Sequence, residues 1–307
     1  MLLVRTDANA TIGIGHAMRS LAIAEAWLEL GFGDVVFAMR DAPPAVRARI
    51  ERAGARIVWP APAAPYVVAD GYLIDAAEKA ALARDARLLI VDDRGESVTS
   101  AAAVVVNPNP AASRALYAHV SCTVLVGGEY ALLRREFREP STRARTERVL
   151  VSFGGADVAN LMPRALAALA DLDVEVLAIA GPANVHAAAL HASRPGIQIV
   201  PSVDNIAGEM RASSLAIVAA GGTCWELAAL GVPMIAAVVA ENQRDVAAAV
   251  ESLGLGVALR DDPSAADFSA AVARMDPASR AEMARRGPQI IDGKGALRVC
   301  EVLRGER

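Results

Sequence analysis

The sequence predicts an α/β protein made of two successive doubly wound domains. Short apolar or β-branched runs alternate with alanine-rich helical stretches, the rhythm that places parallel strands beneath helices on both faces. The rhythm stops at a charged segment, residues 134–148, which contains Pro140 and Ser141 and reads as a linker, and then it restarts. The 307 residues are 54 % apolar, enough for two cores. We therefore expect two Rossmann-like domains, at 1–140 and 148–307, facing each other across a cleft.

Each predicted element follows from this alternation. In the first half, strands are expected over residues 2–5, 35–39, 88–91, 103–106 and 123–126, and helices over 18–30 and 44–53. In the second half, strands are expected over 149–153, 174–180, 215–219 and 234–239, and helices over 161–172, 223–230 and 246–253. Ligands of such sheets bind outside the carboxyl ends of the strands, so the glycine-bearing turns at those ends are the places to look for chemistry.

Composition and charge exclude several classes of partner. The net charge is −4 and there is no Lys/Arg-rich run, which disfavours nucleic acid and anionic membranes. No apolar stretch reaches the ~18–20 residues of a membrane span, and the first residues lack the pattern of a signal peptide. The three cysteines, Cys122, Cys224 and Cys300, form neither a metal pattern nor a disulfide framework. With no Asp-x-Asp motif either, we expect a cytoplasmic protein of unknown oligomeric state, with no metal and no other cofactor.

The first motif with chemical content covers residues 13–19. Gly13 and Gly15 precede a helix and allow a ligand to approach the backbone, whose free N–H groups attract anions. His16 stands at this position as a candidate general base, and Arg19 follows one turn later. A capping loop with a locally packed histidine is the alternative. Position 18 is methionine rather than the third glycine of a dinucleotide fingerprint, which disfavours a nicotinamide cofactor.

The second motif lies between two strands of the second half. Gly221, Gly222 and Thr223 form a turn into a helix, a suitable cradle for a diphosphate without a metal. Glu226, one turn later, is a candidate ligand of the ribose hydroxyls; the alternative is an acid that complements the helix dipole. Trp225 and the histidines at 119, 186 and 191 are expected to be packing or surface residues, and Cys224 to be small buried filler.

Together these motifs resemble the GT-B superfamily that includes MurG-type glycosyltransferases. Four further strings narrow the resemblance to the UDP-sugar hydrolases of pseudaminic acid biosynthesis, the PseG family. They are LVGGEYALLRREF at 125–137, VSFGGAD at 151–157 with Asn160 and Leu161, VAENQ at 239–243, and DGKGALRV at 292–299. The similarity covers roughly residues 3–300 in the family's order. It implies a GT-B fold, in which the last helix, around 295–303, crosses back to the first domain.

The resemblance also implies a reaction and a set of residues. It implies hydrolysis of UDP-2,4-diacetamido-2,4,6-trideoxy-β-L-altropyranose at the anomeric C–O bond, with release of UDP. The implied catalytic residues are His16 as base, Tyr72 at the sugar and Asn242, with Asp92 and Asp93 matching a paired-aspartate motif. The expected substrate-binding residues are Gly13, Gly15, Arg19, Gly154, Gly155, Gly221, Gly222, Thr223, Glu226 and Gln243. The resembled family has an Asp-His pair before the tyrosine, and Gly71 stands in place of that histidine between Asp70 and Tyr72. An inverting UDP-sugar glycosyltransferase and a catalytically silent nucleotide-sugar-binding subunit are the alternatives.

Overall fold

The computed structural model describes residues 1–9, 12–96, 98–139, 144–181, 183–190, 195–260 and 262–306. The chain forms two compact units, Met1–Arg138 with Ile291–Arg307, and Glu139–Ile290. The segment from residue 291, which the predicted range 148–307 includes, belongs to the first unit here, as the resemblance implies for the last helix. Within the described residues, no helix is long and apolar enough to cross a bilayer.

The first unit is built on a seven-stranded parallel sheet. Its strands are β1 (Leu2–Arg5), β2 (Val35–Ala38), β3 (Arg56–Val58), β4 (Tyr66–Asp70), β5 (Arg87–Val91), β6 (Val104–Asn107) and β7 (Thr123–Val126), in the order β3-β2-β1-β4-β5-β6-β7. Its first helices are α1 (Gly15–Glu29), α2 (Pro44–Arg52) and α3 (Ala76–Leu82). The central strands are buried along their length, as expected for a parallel sheet covered on both faces.

The second unit repeats this architecture with six parallel strands. They are β8 (Arg148–Ser152), β9 (Glu175–Ile179), β10 (Ile197–Val200), β11 (Leu215–Ala219), β12 (Met234–Ala237) and β13 (Gly256–Leu259), in the order β10-β9-β8-β11-β12-β13. Its helices are α4 (Met162–Ala168), α5 (Ile206–Ala212), α6 (Gly222–Ala229), α7 (Arg244–Ser252), α8 (Ala265–Ala273) and α9 (Pro277–Ile290). The predicted pair of doubly wound, Rossmann-like sheets is therefore confirmed.

Each sheet has one switch point, where the direction of winding reverses. In the first unit it lies between β1 and β4, which pair side by side although two strands separate them in sequence. In the second unit it lies between β8 and β11. Doubly wound sheets bind their ligands in the crevice at the carboxyl end of the switch point. The fold thus marks one candidate location in each unit.

The last helix, α10 (Gly295–Arg304), belongs to the first unit and packs against α1. The Cys300 thiol lies 3.4 Å from the carbonyl oxygen of Ile23. Arg298 donates to the carbonyl of Glu129 at 2.8 Å, and a side chain at Gly295 would overlap the backbone of Ala131. The strings 125–137 and 292–299 therefore meet each other, and Gly295 allows the close approach.

Several predicted boundaries need correction. Helix α1 begins at Gly15, three residues before the predicted start, so His16 lies within its first turn. Strands β3, β4, β10 and β13 and helices α3, α5, α8 and α9 lie where we predicted no element. The predicted linker is in large part packed: Phe137 is buried, and Arg145 donates to the carbonyl of Gly231. Pro140 and Ser141 lie outside the described residues.

Candidate functional site

The loop between β1 and α1 leads into the switch point of the first unit. Asn9 organises its described part, because its side-chain oxygen accepts from the N–H of Ile12 at 3.0 Å and its carbonyl from that of Gly13 at 2.9 Å. Gly13 has a φ of +74°, a conformation that favours glycine. A side chain at Gly13 or Gly15 would meet no atom within 4 Å, so both glycines border open space. No side chain caps the start of α1.

A buried carboxylate holds His16. Asp70 ends β4 and is fully buried, and its Oδ1 lies 2.7 Å from His16 Nδ1. Burial alone would raise the pKa of Asp70, but the charge and hydrogen bonds of Arg19, together with His16, outweigh it and lower that pKa to about 2. An ionised carboxylate only accepts, so a proton on Nδ1 satisfies this contact, and in the neutral imidazole of that tautomer the lone pair lies on Nε2. Within the described residues Nε2 has no hydrogen-bond partner.

Arg19 joins two carboxylates. Its Nε and Nη2 donate to the two oxygens of Asp70 at 2.7 and 2.6 Å, and its Nη1 donates to Oδ1 of Asp93 at 2.7 Å. Asp93 lies two residues beyond β5, the strand that neighbours β4 on the side away from β1. Ser20 adds a further hydrogen bond to Asp70 at 3.1 Å. All three guanidinium nitrogens of this predicted substrate ligand are therefore already bound within the first unit.

Tyr72 is linked to the same cluster. Its hydroxyl donates to Oδ2 of Asp93 at 2.7 Å, and its ring stands edge-on to that of His16, with 4.7 Å between centroids. Burial and the negative charge of Asp93 raise the pKa of Tyr72, so it stays a protonated donor. Gly71 turns the chain between Asp70 and Tyr72 with a φ of +152°, which disfavours a side chain at this position.

The paired aspartates, Asp92 and Asp93, make different contacts. Asp92 is buried and accepts from the Tyr117 hydroxyl at 2.7 Å and from the N–H of Arg94 at 3.1 Å, so it shapes the loop after β5. Only Asp93 reaches Arg19 and Tyr72. A cavity of about 240 Å³ opens beside this loop; it is lined by Tyr72, Asp92, Asp93, Arg94 and Glu96.

The switch point of the second unit is made of backbone rather than charged side chains. Two turns meet there, Gly154-Gly155 after β8 and Gly221-Gly222 after β11, and a side chain at any of the four would meet no atom within 4 Å. No side chain caps α6, and in the described part of the chain the N–H groups of Gly222 and Thr223 have no hydrogen-bond partner. Unpaired N–H groups at a helix start favour an anion.

Two residues that sequence reasoning did not select brace the Gly154-Gly155 turn. Gly181 packs so tightly that a side chain there would overlap the carbonyl oxygens of both glycines. Asp157 is buried and accepts from the N–H groups of Leu161 and Met162 at 2.9 and 3.0 Å, which anchors α4. The turn is therefore held from two sides while its outer face is open.

The other predicted ligands of this unit differ in exposure. Glu226 is half-buried one turn into α6. Asn242 is exposed in a short 3-10 helix, Glu241–Gln243. Gln243 uses its side-chain oxygen to accept from the N–H of Val239 at 3.0 Å, so that oxygen closes the loop after β12.

The residues expected to have packing roles behave differently from the site candidates. Cys224 is buried, and burial raises the pKa of its thiol to about 12, which makes it unreactive. Trp225 is buried, as predicted for a packing residue. His119 and His186 are exposed, and His191 lies outside the described residues.

Comparisons with known proteins agree with this fold. Residues 148–289 match the family model described as the glycosyltransferase family 28 C-terminal domain. The spore coat polysaccharide biosynthesis protein SpsG of Bacillus subtilis (strain 168) is 26 % identical over 237 residues, 71 % of this chain and 69 % of that protein. The uncharacterized protein MJ1062 of Methanocaldococcus jannaschii is 22 % identical over 293 residues, 80 % of this chain but 57 % of that protein.

Solved glycosyltransferases share the whole architecture. The spinosyn rhamnosyltransferase SpnG superimposes with a TM-score of 0.72 at 18 % identity, covering 100 % of both chains. MurG of Acinetobacter baumannii gives 0.71 at 16 % identity, covering 99 % of both. CalG4, the calicheamicin glycosyltransferase, gives 0.70 at 15 %, covering 99 % of this chain and 97 % of its own. The chain thus has the GT-B fold, and its second unit is similar to a glycosyltransferase C-terminal domain.

Proposed function

We propose that this protein hydrolyses a UDP-linked sugar at the anomeric C–O bond and releases UDP and the free sugar. The observation that carries the proposal is the buried Asp70–His16 pair at the switch point of the first unit, with Nε2 of His16 left as the free lone pair. Such a pair has the geometry of a general base whose imidazolium form is stabilised by the carboxylate behind it.

The chemical step needs no group beyond these residues and water. His16 Nε2 takes a proton from water while the water oxygen forms a bond to the anomeric carbon. The bond from that carbon to the phosphate oxygen breaks, and its electron pair leaves with UDP. Attack opposite the leaving group inverts the configuration. Asp70 stabilises the imidazolium, which then returns its proton to solvent.

The second unit is proposed to hold the UDP. The N–H groups of Gly222 and Thr223, with the dipole of α6, would stabilise the charge that develops on the β-phosphate, an interaction that supplies several kcal/mol in other enzymes (~3–4 kcal/mol). Glu226 would bind the ribose hydroxyls, and the Gly154-Gly155 turn would give the diphosphate room. The match of residues 148–289 to a glycosyltransferase C-terminal domain supports this assignment.

The sugar is proposed from the sequence resemblance. We propose UDP-2,4-diacetamido-2,4,6-trideoxy-β-L-altropyranose as the substrate, with Tyr72 and Asn242 contacting the reacting sugar. The similarity to SpsG, a spore coat polysaccharide biosynthesis protein, supports a product that enters a surface glycan. Gly71 stands where the resembled family has histidine, so one polar side chain next to Tyr72 is missing. The N-acyl groups are therefore the part of the sugar in which this protein's substrate is most open to differ from the family's.

The second candidate is an inverting UDP-sugar glycosyltransferase. It is favoured by the glycosyltransferase family 28 match and by the glycosyltransferases that share the fold. A sugar hydroxyl would then replace water, and the same His16 would take its proton. A silent binding subunit is less consistent with the Asp70–His16 pair, because a binding protein has no use for an oriented base.

An acceptor-free assay separates these candidates. The protein is incubated with a panel of UDP-sugars that includes the diacetamido-trideoxy substrate, and UDP release is followed over time. We expect multiple turnovers on that substrate without any added acceptor. UDP release that appears only when a sugar acceptor is supplied would assign the protein as a glycosyltransferase. UDP binding without release under either condition would assign it as a binding subunit.

A further inference from the structure

Arg19 lies at the centre of a charged cluster whose other members face one another. His16 is faced by Asp70 from the end of β4, by Arg19 from its own helix and by Tyr72 from the loop after β4. Asp93, from the loop after β5, faces both Arg19 and Tyr72. The one positive charge of Arg19 thus stands between two carboxylates, one behind the histidine and one behind the tyrosine.

The geometry leaves Arg19 little capacity to bind a phosphate. Two of its nitrogens form a bidentate pair with Asp70 and the third binds Asp93, all at 2.6–2.7 Å. Its side chain is only 20 % exposed. The remaining N–H groups belong to a guanidinium whose charge is already shared by two carboxylates in a largely buried setting, which weakens its attraction for a phosphate.

We infer that Arg19 is a positioning residue, which balances the charge of Asp70 and Asp93 and thereby keeps His16 neutral and Tyr72 in place. Without the guanidinium, Asp70, which contacts the imidazole, and Asp93, which contacts the Tyr72 hydroxyl beside it, would lose the positive charge that contacts both. They would favour the imidazolium, and a protonated histidine cannot accept a proton from water. Tyr72 would also lose the fixed orientation of its acceptor, Asp93. The catalytic meaning of this inference rests on the proposed hydrolysis, whereas the electrostatic effect on His16 does not.

The test compares Arg19→Gln and Arg19→Lys with the unmodified protein by NMR titration of the histidine rings, without substrate. The His16 signals are identified by their loss in His16→Asn. In Arg19→Gln we expect the titration midpoint of His16 to rise by about 1 to 3 pH units, the usual effect of an uncompensated neighbouring charge. Arg19→Lys retains the charge but cannot bridge both carboxylates, so its midpoint should lie between the other two.

A second readout follows activity against pH. The acidic limb of kcat should move upward in Arg19→Gln by the same interval, so that activity lost at pH 7 returns in large part at higher pH. Arg87→Gln is the matched control, because Arg87 lies at the amino end of β5, opposite the carboxyl end where Asp93 follows, and among the described residues its side chain donates to the carbonyl of Val302. Neither the His16 midpoint nor the acidic limb should move in it.

Two results would overturn the inference. An unchanged His16 midpoint in Arg19→Gln would show that Arg19 does not set the charge state of the base. A raised Kd for UDP with an unmoved acidic limb would make Arg19 a phosphate ligand. If Arg19→Gln does not fold, Asp93→Asn replaces it: removal of one negative charge should shift the His16 midpoint downward, and an upward shift or none would reject the inference. Failure of the proposed hydrolysis alone would leave the NMR result intact.

Discussion

The two units wind their sheets in the same way, yet their switch points carry opposite kinds of chemistry. In the first, four ionisable side chains meet: His16, Arg19, Asp70 and Asp93. In the second, glycine turns and unpaired N–H groups border open space, and the nearest acid, Glu226, is one turn further along α6. Side chains that exchange protons suit a reacting centre, whereas backbone donors suit a bound anion. Under the proposed function, one architecture thus serves twice, with the first unit as the reactive half and the second as the binding half.

Removal of the proposed base, His16, should lower catalysis and leave UDP binding unchanged. In His16→Ala, kcat should fall by ~10²–10⁴-fold, the usual contribution of a general base, while the Kd for UDP stays unchanged. Steady-state kinetics and calorimetry measure the two quantities. A variant that kept more than about a tenth of kcat would contradict the role of His16.

Removal of the carboxylate behind the base should have a similar but smaller effect. In Asp70→Asn the carboxamide can no longer stabilise the imidazolium, so kcat should fall by about 10²-fold, and the acidic limb should shift to lower pH because the histidine becomes a weaker base. Since Arg19 loses a partner, folding is checked by circular dichroism. An unchanged pH profile in a folded variant would argue that Asp70 is structural only.

Removal of Glu226, the proposed partner of the ribose hydroxyls, should weaken UDP binding instead. Glu226→Ala should weaken UDP binding by ~1–3 kcal/mol, the range for loss of a charged hydrogen-bond partner, with kcat at saturating substrate changed much less. Glu282→Ala, on the exposed face of α9, is the control and should bind UDP like the unmodified protein. Equal affinity in Glu226→Ala and the control would reject the ribose assignment.

Two glycine substitutions test whether close packing at Gly181 supports the Gly154-Gly155 turn. Gly181 and Gly154 have similar φ values, +90° and +82°, but only a side chain at Gly181 overlaps the turn. Gly181→Ala should therefore destabilise the protein by ~1–3 kcal/mol more than Gly154→Ala, as measured by urea unfolding. Equal losses would mean that backbone conformation alone, and not the close contact, requires glycine at 181.

The alternation of apolar runs with alanine-rich stretches predicts the fold but not the charged cluster around Arg19. Strands β7 and β11 lie where the apolar runs predicted them, because a buried parallel strand reads as a continuous apolar stretch. The residues Tyr66–Asp70, in contrast, were given no strand, although β4 supplies Asp70. His16 could be selected from its glycine loop, whereas the Asp70 and Asp93 contacts join residues 54 and 74 positions away from α1, which no local pattern contains.

The destination of the C-terminal segment follows from the resemblance, which implies that the last helix crosses back to the first domain. No local pattern says which sheet a helix at 295–303 covers. Its assignment to the first unit depends on Gly295, which fits against Ala131, and on Arg298, which reaches the carbonyl of Glu129. Such pairings become visible only when both strings are seen in three dimensions.

The position of an oxygen label tests the central claim most directly. The protein is incubated with UDP-2,4-diacetamido-2,4,6-trideoxy-β-L-altropyranose in ¹⁸O-labelled water without acceptor, and both products are analysed by mass spectrometry. The account predicts label in the free sugar and none in UDP, because water attacks the anomeric carbon. Label in the phosphate of UDP would mean attack at phosphorus and would contradict the roles of His16, Asp70 and Tyr72.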